Sequence, residues 1–234
     1  MILLQDVKTS PLSPCHYLPG ETWKFEYFFA RGLDHTELEW FLSRGWRKFG
    51  LYYFRPVCPS CRKCIPLRVL VHDFTMTRSQ KRLVRKNMDI RESFGPLNFS
   101  RRVYEIYRDH SGRFEKDISE PPEFISSFYT ESCPSLQSEY HLDETLAAVG
   151  FLDHSSRGLS SVYFVFDTSF SRYSFGTYSI IREIDFAKSL GLSYYYLGYY
   201  IAECPKMAYK YRFHPCETFD WKTETWNVQG VNPA

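Results

Sequence analysis

The sequence predicts an α+β fold, a mostly antiparallel sheet with helices packed on it, and three observations predict it. Three β-like runs follow one another at residues 136–142, 145–152 and 159–167, with Arg157-Gly158 in the second turn, as in an antiparallel meander. A helical segment beginning at Gly176 then repeats Ile180, Ile181, Ile184, Ala187 and Leu190 at helical spacing and stops at Gly191. A tyrosine-rich run at 193–199 supplies a further strand, so that the helix can cover one sheet face.

Asp34 and Glu37 stand at capping-box spacing ahead of Leu38, Phe41 and Leu42, which predicts a helix over 35–43. The aromatic run 49–55 reads as a strand ended by Pro56, and 65–71 as a second, joined to it by a cysteine-bearing loop. Thr77 or Ser79 can cap a helix carrying Leu83 and Val84, Ser100 one carrying Val103, Ile106 and Tyr107, and Pro121-Pro122 opens a short third. There is no internal repeat and no low-complexity linker.

A chain of 234 residues with 44% hydrophobic content can bury a substantial core as one domain or two closely joined ones. The division expected is 1–95, with a cysteine cluster and a basic helix, and 96–234, with the meander. The 20 Phe, 18 Tyr and 5 Trp suit a core, a base-stacking surface or both. No apolar run approaches the roughly 20 residues that span a bilayer, and residues 1–14 lack the pattern of a secretory signal, so a cytoplasmic protein without a membrane partner is expected. A net charge of +2 leaves any contact with nucleic acid to local clustering.

Such clustering exists. Arg78, Lys81, Arg82, Arg85 and Lys86 lie within one helical stretch that holds no acid, and this face can follow a phosphate backbone or simply be solvated. Cys58, Cys61 and Cys64, with Cys15 as a distant fourth, could give thiolates to zinc or an iron-sulfur cluster; the other reading is a tight loop of small buried apolar groups. Their spacing indicates a reducing compartment, and Cys133, Cys204 and Cys216 read as isolated structural residues. Asp153, His154 and Ser155 are neighbours in a turn, which does not make a triad. The tyrosines of 194–200 and the cations of 206–212 form the most unusual stretch, either a core strand with a charged surface or a site.

These pieces occur in a shared order: Tyr53-x-Arg-Pro, Cys58-x2-Cys-x2-Cys-x-Pro66, Arg78-Ser-Gln-x-Arg82, Asn87, Gly158-Leu-Ser-x-Val-Tyr163, Ser174-x-Gly-Thr-Tyr178, Tyr196-Leu-Gly-Tyr199 and Met207-Ala-Tyr-Lys-x-Arg-Phe213. In that order the chain resembles the aminoacyl-tRNA–protein transferases of the N-degron pathway, from Cys15 to about Glu217, and its length and cysteine loop resemble the bacterial leucine-transferring branch. It departs from the family pattern at Arg157, Thr168 and Phe175, which bears on the choice of amino acid donated.

The resemblance implies a fold akin to the GNAT acyltransferases, with a cysteine-containing N-terminal region and residues 96–234 as the transferase domain. It implies transfer of leucine from leucyl-tRNA to proteins beginning with Asp or Glu, marking them for degradation, by a monomer that requires no cofactor. An aminoacyl ester is already activated, so the enzyme must hold a neutral amine about 3 Å from the carbonyl and stabilise the oxyanion. With an α-amine pKa of roughly 8, no sharply tuned base is expected.

On this reading Tyr178, Tyr199 and Gly198 serve catalysis, Tyr178, Tyr196 and Tyr199 can line the donor pocket or stack the terminal adenosine, Gly176 and Tyr209 also bind substrate, and Lys210, Arg212, Arg78 and Lys206 are candidates to bind the acceptor carboxylate. Lys81, Arg82, Arg85 and Lys86 dock the tRNA. The rivals are an arginine-donating enzyme on the same scaffold and a non-catalytic RNA-binding protein. The missing glycine-rich pyrophosphate loop argues against an acyl-CoA-dependent acetyltransferase.

Overall fold

The computed structural model describes residues 1–113 and 118–230. Its first half gives β1 (Ile2–Thr9), β2 (Ser13–Pro14), β3 (Thr22–Trp23), β4 (Phe25–Arg31), α1 (His35–Leu42), β5 (Arg47–Phe49), β6 (Tyr52–Pro56), β7 (Ile65–Leu70), α2 (Arg78–Lys86), β8 (Ile90–Gly95) and α3 (Arg101–Ser111). Its second half gives α4 (Pro121–Phe128), β9 (Ser135–Leu142), β10 (Thr145–His154), β11 (Gly158–Phe166), α5 (Phe175–Ser189), β12 (Tyr194–Tyr200), α6 (Pro205–Ala208), β13 (Cys216–Asp220) and β14 (Thr225–Gln229).

The meander β9-β10-β11 forms as the alternation predicts, and it lies inside an eight-stranded sheet of order β14-β13-β7-β12-β11-β10-β9-β8. All its pairings are antiparallel except β11 with β12, and that parallel pair is connected by the crossover helix α5. β7 and β8 enter this sheet from before residue 96, so its hydrogen bonding crosses the expected boundary. A second sheet, β1-β4-β6-β5, is wholly antiparallel, and β2 pairs with β3.

Period-two alternation sends neighbouring side chains of β10 to opposite faces. Val149 and Phe151 pack with Val103, Ile106 and Tyr107 of α3 and Phe124 of α4. Leu152 packs with Ile180, Ile181 and Ile184 of α5, together with Leu67, Val69 and Tyr195. Each such side chain contributes roughly 1.5–3 kcal/mol by leaving water. A third cluster joins α1 to the smaller sheet through Phe28, Leu38, Leu42, Trp46 and Tyr53.

The caps read from sequence hold. Asp34 and Glu37 make both halves of a capping box, Thr77 rather than Ser79 caps α2, and Ser100 caps α3. The single strand expected over 49–55 is instead a hairpin arm and a turn, because Gly50 adopts φ +52 and a Cβ there would stand 2.1 Å from the Ser126 carbonyl oxygen. Among the described residues no helix is long and apolar enough to cross a membrane.

Candidate functional site

The parallel pair β11 and β12 is hydrogen-bonded only at its beginning, where Gly158, Leu159 and Ser160 face Tyr194, Tyr195 and Tyr196. Beyond that point β11 continues along β10 as far as Phe166, while β12 continues along β7 as far as Tyr200. The two strands therefore part at their carboxyl ends, the end of a parallel pair at which open α/β sheets place ligands. Gly198 lies at the parting, with φ +78 and a register shift against β7, a left-handed conformation that other residues adopt only with strain.

Arg47 reaches into this wedge from β5 of the smaller sheet. Its Nη1 donates to Ser160 Oγ at 2.8 Å and its Nη2 donates to the Ser161 carbonyl oxygen, so it bridges to the last paired residue of β11 and the one after it. Guanidinium atoms lie 3.5 Å from where a Cβ would stand at Gly198, so a flat cation rests over the β12 bulge. Lys210, from the turn after α6, donates to the Tyr199 carbonyl oxygen at 3.1 Å. Burial, and then the nearby Arg47 charge, bring the Lys210 pKa down to about 7. Among the described residues neither cation has a carboxylate within ion-pair distance.

Of the cations expected to read an acidic acceptor, the structure brings only Lys210 to the wedge. Arg212 and Lys206 are exposed, and Arg78 sits at the exposed start of α2 in series with Lys81, Arg82, Arg85 and Lys86. Sequence reasoning missed Arg47. The available signal was a pair of cations, Arg47 and Lys48, inside an aromatic strand-like run.

The tyrosines occupy several environments. Tyr199 is buried beside Gly198 and its hydroxyl donates to the Gly45 carbonyl oxygen at 2.9 Å, which fixes β12 to the turn that leads into β5 and Arg47. Tyr196 is buried on the α1 side, donating to Glu39 at 2.7 Å and accepting from Arg68 at 3.0 Å. Tyr178 is buried in α5 with its hydroxyl 3.1 Å from Glu92 of β8, and Tyr209 is half-buried against the core that holds Tyr195. Gly176 is in the first turn of α5, where nothing lies within 4 Å of a Cβ position and Ser174 makes no side-chain cap. Free backbone N–H groups at such a start can meet negative charge.

A second buried group titrates near neutrality. Glu183 of α5 receives hydrogen bonds from Ser138 at 2.9 Å, from Tyr140 at 3.4 Å and from Tyr195, and burial outweighs them to bring its pKa up to about 7.

All seven cysteines are unbridged. Cys15, Cys61 and Cys64 do come together, and Cys204, expected to stand alone, joins them against Leu18, Ile201 and Met207. Burial and the neighbouring sulfurs of Cys58, Cys15, Cys61 and Cys204 push the Cys64 thiol up to about 12. Among the described residues no three His, Cys, Asp or Glu side chains form a group that could hold a metal ion. The cysteine loop, with Cys58 buried and Cys61 and Cys64 partly buried, is closed by Arg62 donating to the Cys58 and Cys61 carbonyl oxygens and by Trp221 donating to that of Cys64 at 2.9 Å.

The sequence profile described as Arginine-tRNA-protein transferase, C terminus, matches residues 101–220, and that described as Arginine-tRNA-protein transferase, N terminus, matches residues 13–82. Similar curated proteins include an aspartate/glutamate leucyltransferase of Helicobacter hepaticus, 34% identical over 212 residues and covering 87% of each chain. Another of the same description, from Chromobacterium violaceum, is 34% identical over 221 residues and covers 90% of each. Among solved structures, L-PGS from Bacillus licheniformis superposes with a TM-score of 0.50 at 9% identity, covering 60% of this chain and 48% of that one, a likeness of fold alone.

Proposed function

The chain belongs to the arginine-tRNA-protein transferase family, and from that premise we propose that it moves leucine from leucyl-tRNA to the N-terminal Asp or Glu of proteins and so marks them for degradation. The observation that carries this reading is the match, over nearly the whole chain, to relatives described as aspartate/glutamate leucyltransferases. We read the meander, crossover helix and parted strands as a GNAT-like acyltransferase core and the protein as a cytoplasmic monomer. Residues 1–95 then contribute the cysteine loop and basic helix, and 96–234 most of the transfer site.

In the reaction the neutral acceptor amine attacks the leucyl ester carbonyl. The N–C bond forms, the bond to the tRNA 3′-oxygen breaks, and the proton lost from nitrogen ends on that oxygen. Holding amine and ester at about 3 Å supplies much of the acceleration. We assign the ester to the wedge beside Gly198, where the bulge allows close backbone approach, with Tyr199 holding the wedge wall and Tyr178 and Tyr196 supporting the walls behind it. Gly176 and the first turn of α5 offer N–H groups to negative charge on the donor, Tyr209 lines the acceptor side, and Lys206 and Arg212 flank its entrance. Arg78 acts with Lys81, Arg82, Arg85 and Lys86 on the acceptor stem. The approach to neutrality of Lys210 supports a role in receiving the amine proton, a more tuned group than a simple ester transfer demands.

A specific observation favours a second reading: the matching family description names arginine. Radiolabel transfer from leucyl-tRNA and arginyl-tRNA, side by side, to peptides beginning with Asp, Glu, Arg or Ala separates the two. Leucine on Asp and Glu peptides alone is expected; arginine would move the assignment to the sister activity, and no label on any peptide would overturn both in favour of RNA binding without turnover.

A further inference from the structure

We propose that Arg47 is the acceptor-reading residue, the guanidinium that pairs with the side-chain carboxylate of the incoming N-terminal Asp or Glu. This deepens the transfer reading and rests on it. Arg47 carries five N–H donors. Two are used on Ser160 Oγ and the Ser161 carbonyl oxygen through Nη1 and Nη2. The Nε–H and one N–H each of Nη1 and Nη2 have no hydrogen-bond partner among the described residues, and the Nε–Nη2 side is the edge by which a guanidinium takes a carboxylate in a bidentate way. The anchoring therefore leaves free the edge that an acid needs.

Among the described residues no acid stands within ion-pair distance of Arg47. Asp153, whose charge Arg47 feels, is already paired with Lys48 at 3.0 Å. Lys210, which donates to the Tyr199 carbonyl oxygen at 3.1 Å, stands at the same bulge and brings no acid to it. The half-buried Arg47 guanidinium over the Gly198 bulge, with no carboxylate within ion-pair distance among the described residues, forms a preformed seat for one small anion. A guanidinium fork takes a carboxylate or a phosphate; what favours the carboxylate here is that the seat adjoins the place assigned to the ester, within reach of an amine three or four bonds from its own side-chain carboxyl carbon. A guanidinium held by β11 also fixes where that amine points.

The test compares wild-type protein with Arg47→Met and Arg47→Lys. Transfer of leucine from leucyl-tRNA is measured against peptides identical except for a first residue of Asp or Asn, and binding of the same peptides is measured directly by calorimetry without tRNA. Wild type should prefer Asp, and Arg47→Met should lower that preference by about tenfold or more, mainly through the peptide KM, with the leucyl-tRNA KM unchanged. Arg47→Lys keeps the charge but loses the fork and should fall between them. An Asp-over-Asn preference that survives in Arg47→Met overturns the proposal. So does a rise confined to the leucyl-tRNA KM, which would make the anion a nucleic-acid phosphate.

If wild type transfers nothing, the function reading fails, and the binding comparison still decides whether Arg47 selects a carboxylate. If the variants do not fold, protection of Arg47 in wild type from phenylglyoxal by the Asp peptide but not the Asn peptide supports the proposal. Equal labelling with either peptide overturns it.

Discussion

Arg47 and Lys48 are consecutive on β5, and strand geometry sends them to opposite sides. Lys48 meets Asp153 at 3.0 Å with both side chains almost fully buried (7% and 2% exposed), and Asp153 also accepts from Ser135 at 3.0 Å. Burial opposes the Lys48 charge, yet Asp153 more than offsets it, and the lysine titrates above its ordinary range. Arg47 has hydroxyl and carbonyl partners but, among the described residues, no acid. The first environment is closed and the second is open: a buried cation with its own counter-ion belongs to the structure, whereas one held in place without a counter-ion is available to a ligand.

The largest effect expected of this contrast is on stability. Asp153→Ala leaves Lys48 buried and unpaired and should cost about 3–5 kcal/mol, while Lys48→Met with Asp153→Leu should recover most of it. Arg47→Met should cost only about 1–2 kcal/mol for two hydrogen bonds. Chemical denaturation checks all three, and equal losses for Asp153→Ala and Arg47→Met would break the comparison.

A second effect separates Glu183 from Lys210 by pH. Glu183 has a folded pKa of about 7 against an ordinary 4.5, so the folded state binds its proton more tightly. Its contribution is fully present below pH 4.5 and is lost as pH rises through 7, a fall on the order of 3 kcal/mol that Glu183→Gln should flatten. Lys210, depressed to about 7 from 10.5, binds its proton more weakly when folded. Stability should therefore rise with pH between those values, and Lys210→Met should remove that rise. Unfolding free energies of the three proteins between pH 4 and 10 test both slopes.

Smaller still, Gly198→Ala should cost about 1–2 kcal/mol, from the left-handed backbone rather than from crowding. The nearest guanidinium atoms, 3.5 Å from the Cβ position, are at ordinary contact distance. A melting shift no larger than that of Gly95→Ala would remove the argument from strain. The smallest stability change, within about 0.5 kcal/mol, belongs to Arg82→Glu with Arg85→Glu on the solvated face of α2. That variant should nevertheless raise the leucyl-tRNA KM and reduce its salt dependence; unchanged kinetics at physiological salt would detach α2 from the tRNA.

What was legible in the sequence was local. Asp34 with Glu37, Thr77 and Ser100 announce their helices because a cap is satisfied within three residues, and the meander shows itself because its alternation repeats across two turns. β1 was not legible: Ile2, Leu3, Leu4 and Val7 remain about half exposed, so no buried face writes a period into it. β13 and β14 exist through pairing with each other and with β7, some 150 residues away along the chain. The site divided in the same way. Gly198 and Lys210 were marked by unusual local composition, but Arg47 acquires meaning only where β11 and β12 part. Tyr196 looked like a pocket residue, and its hydroxyl proves to be spent between Glu39 and Arg68.

The anchoring of Arg47 to Ser160 and Ser161 would also make the proposed seat a length gauge. Each residue of an extended chain advances by about 3.3 Å. Once leucine has been added, the new amine stands one residue farther from the acidic side chain than the old one did. A cation on a mobile loop could follow; one fastened to a strand cannot. With Arg47 as the proposed acceptor-reading residue, the product could place either its carboxylate on the guanidinium or its amine beside the ester but not both, and a single addition would be the expected outcome.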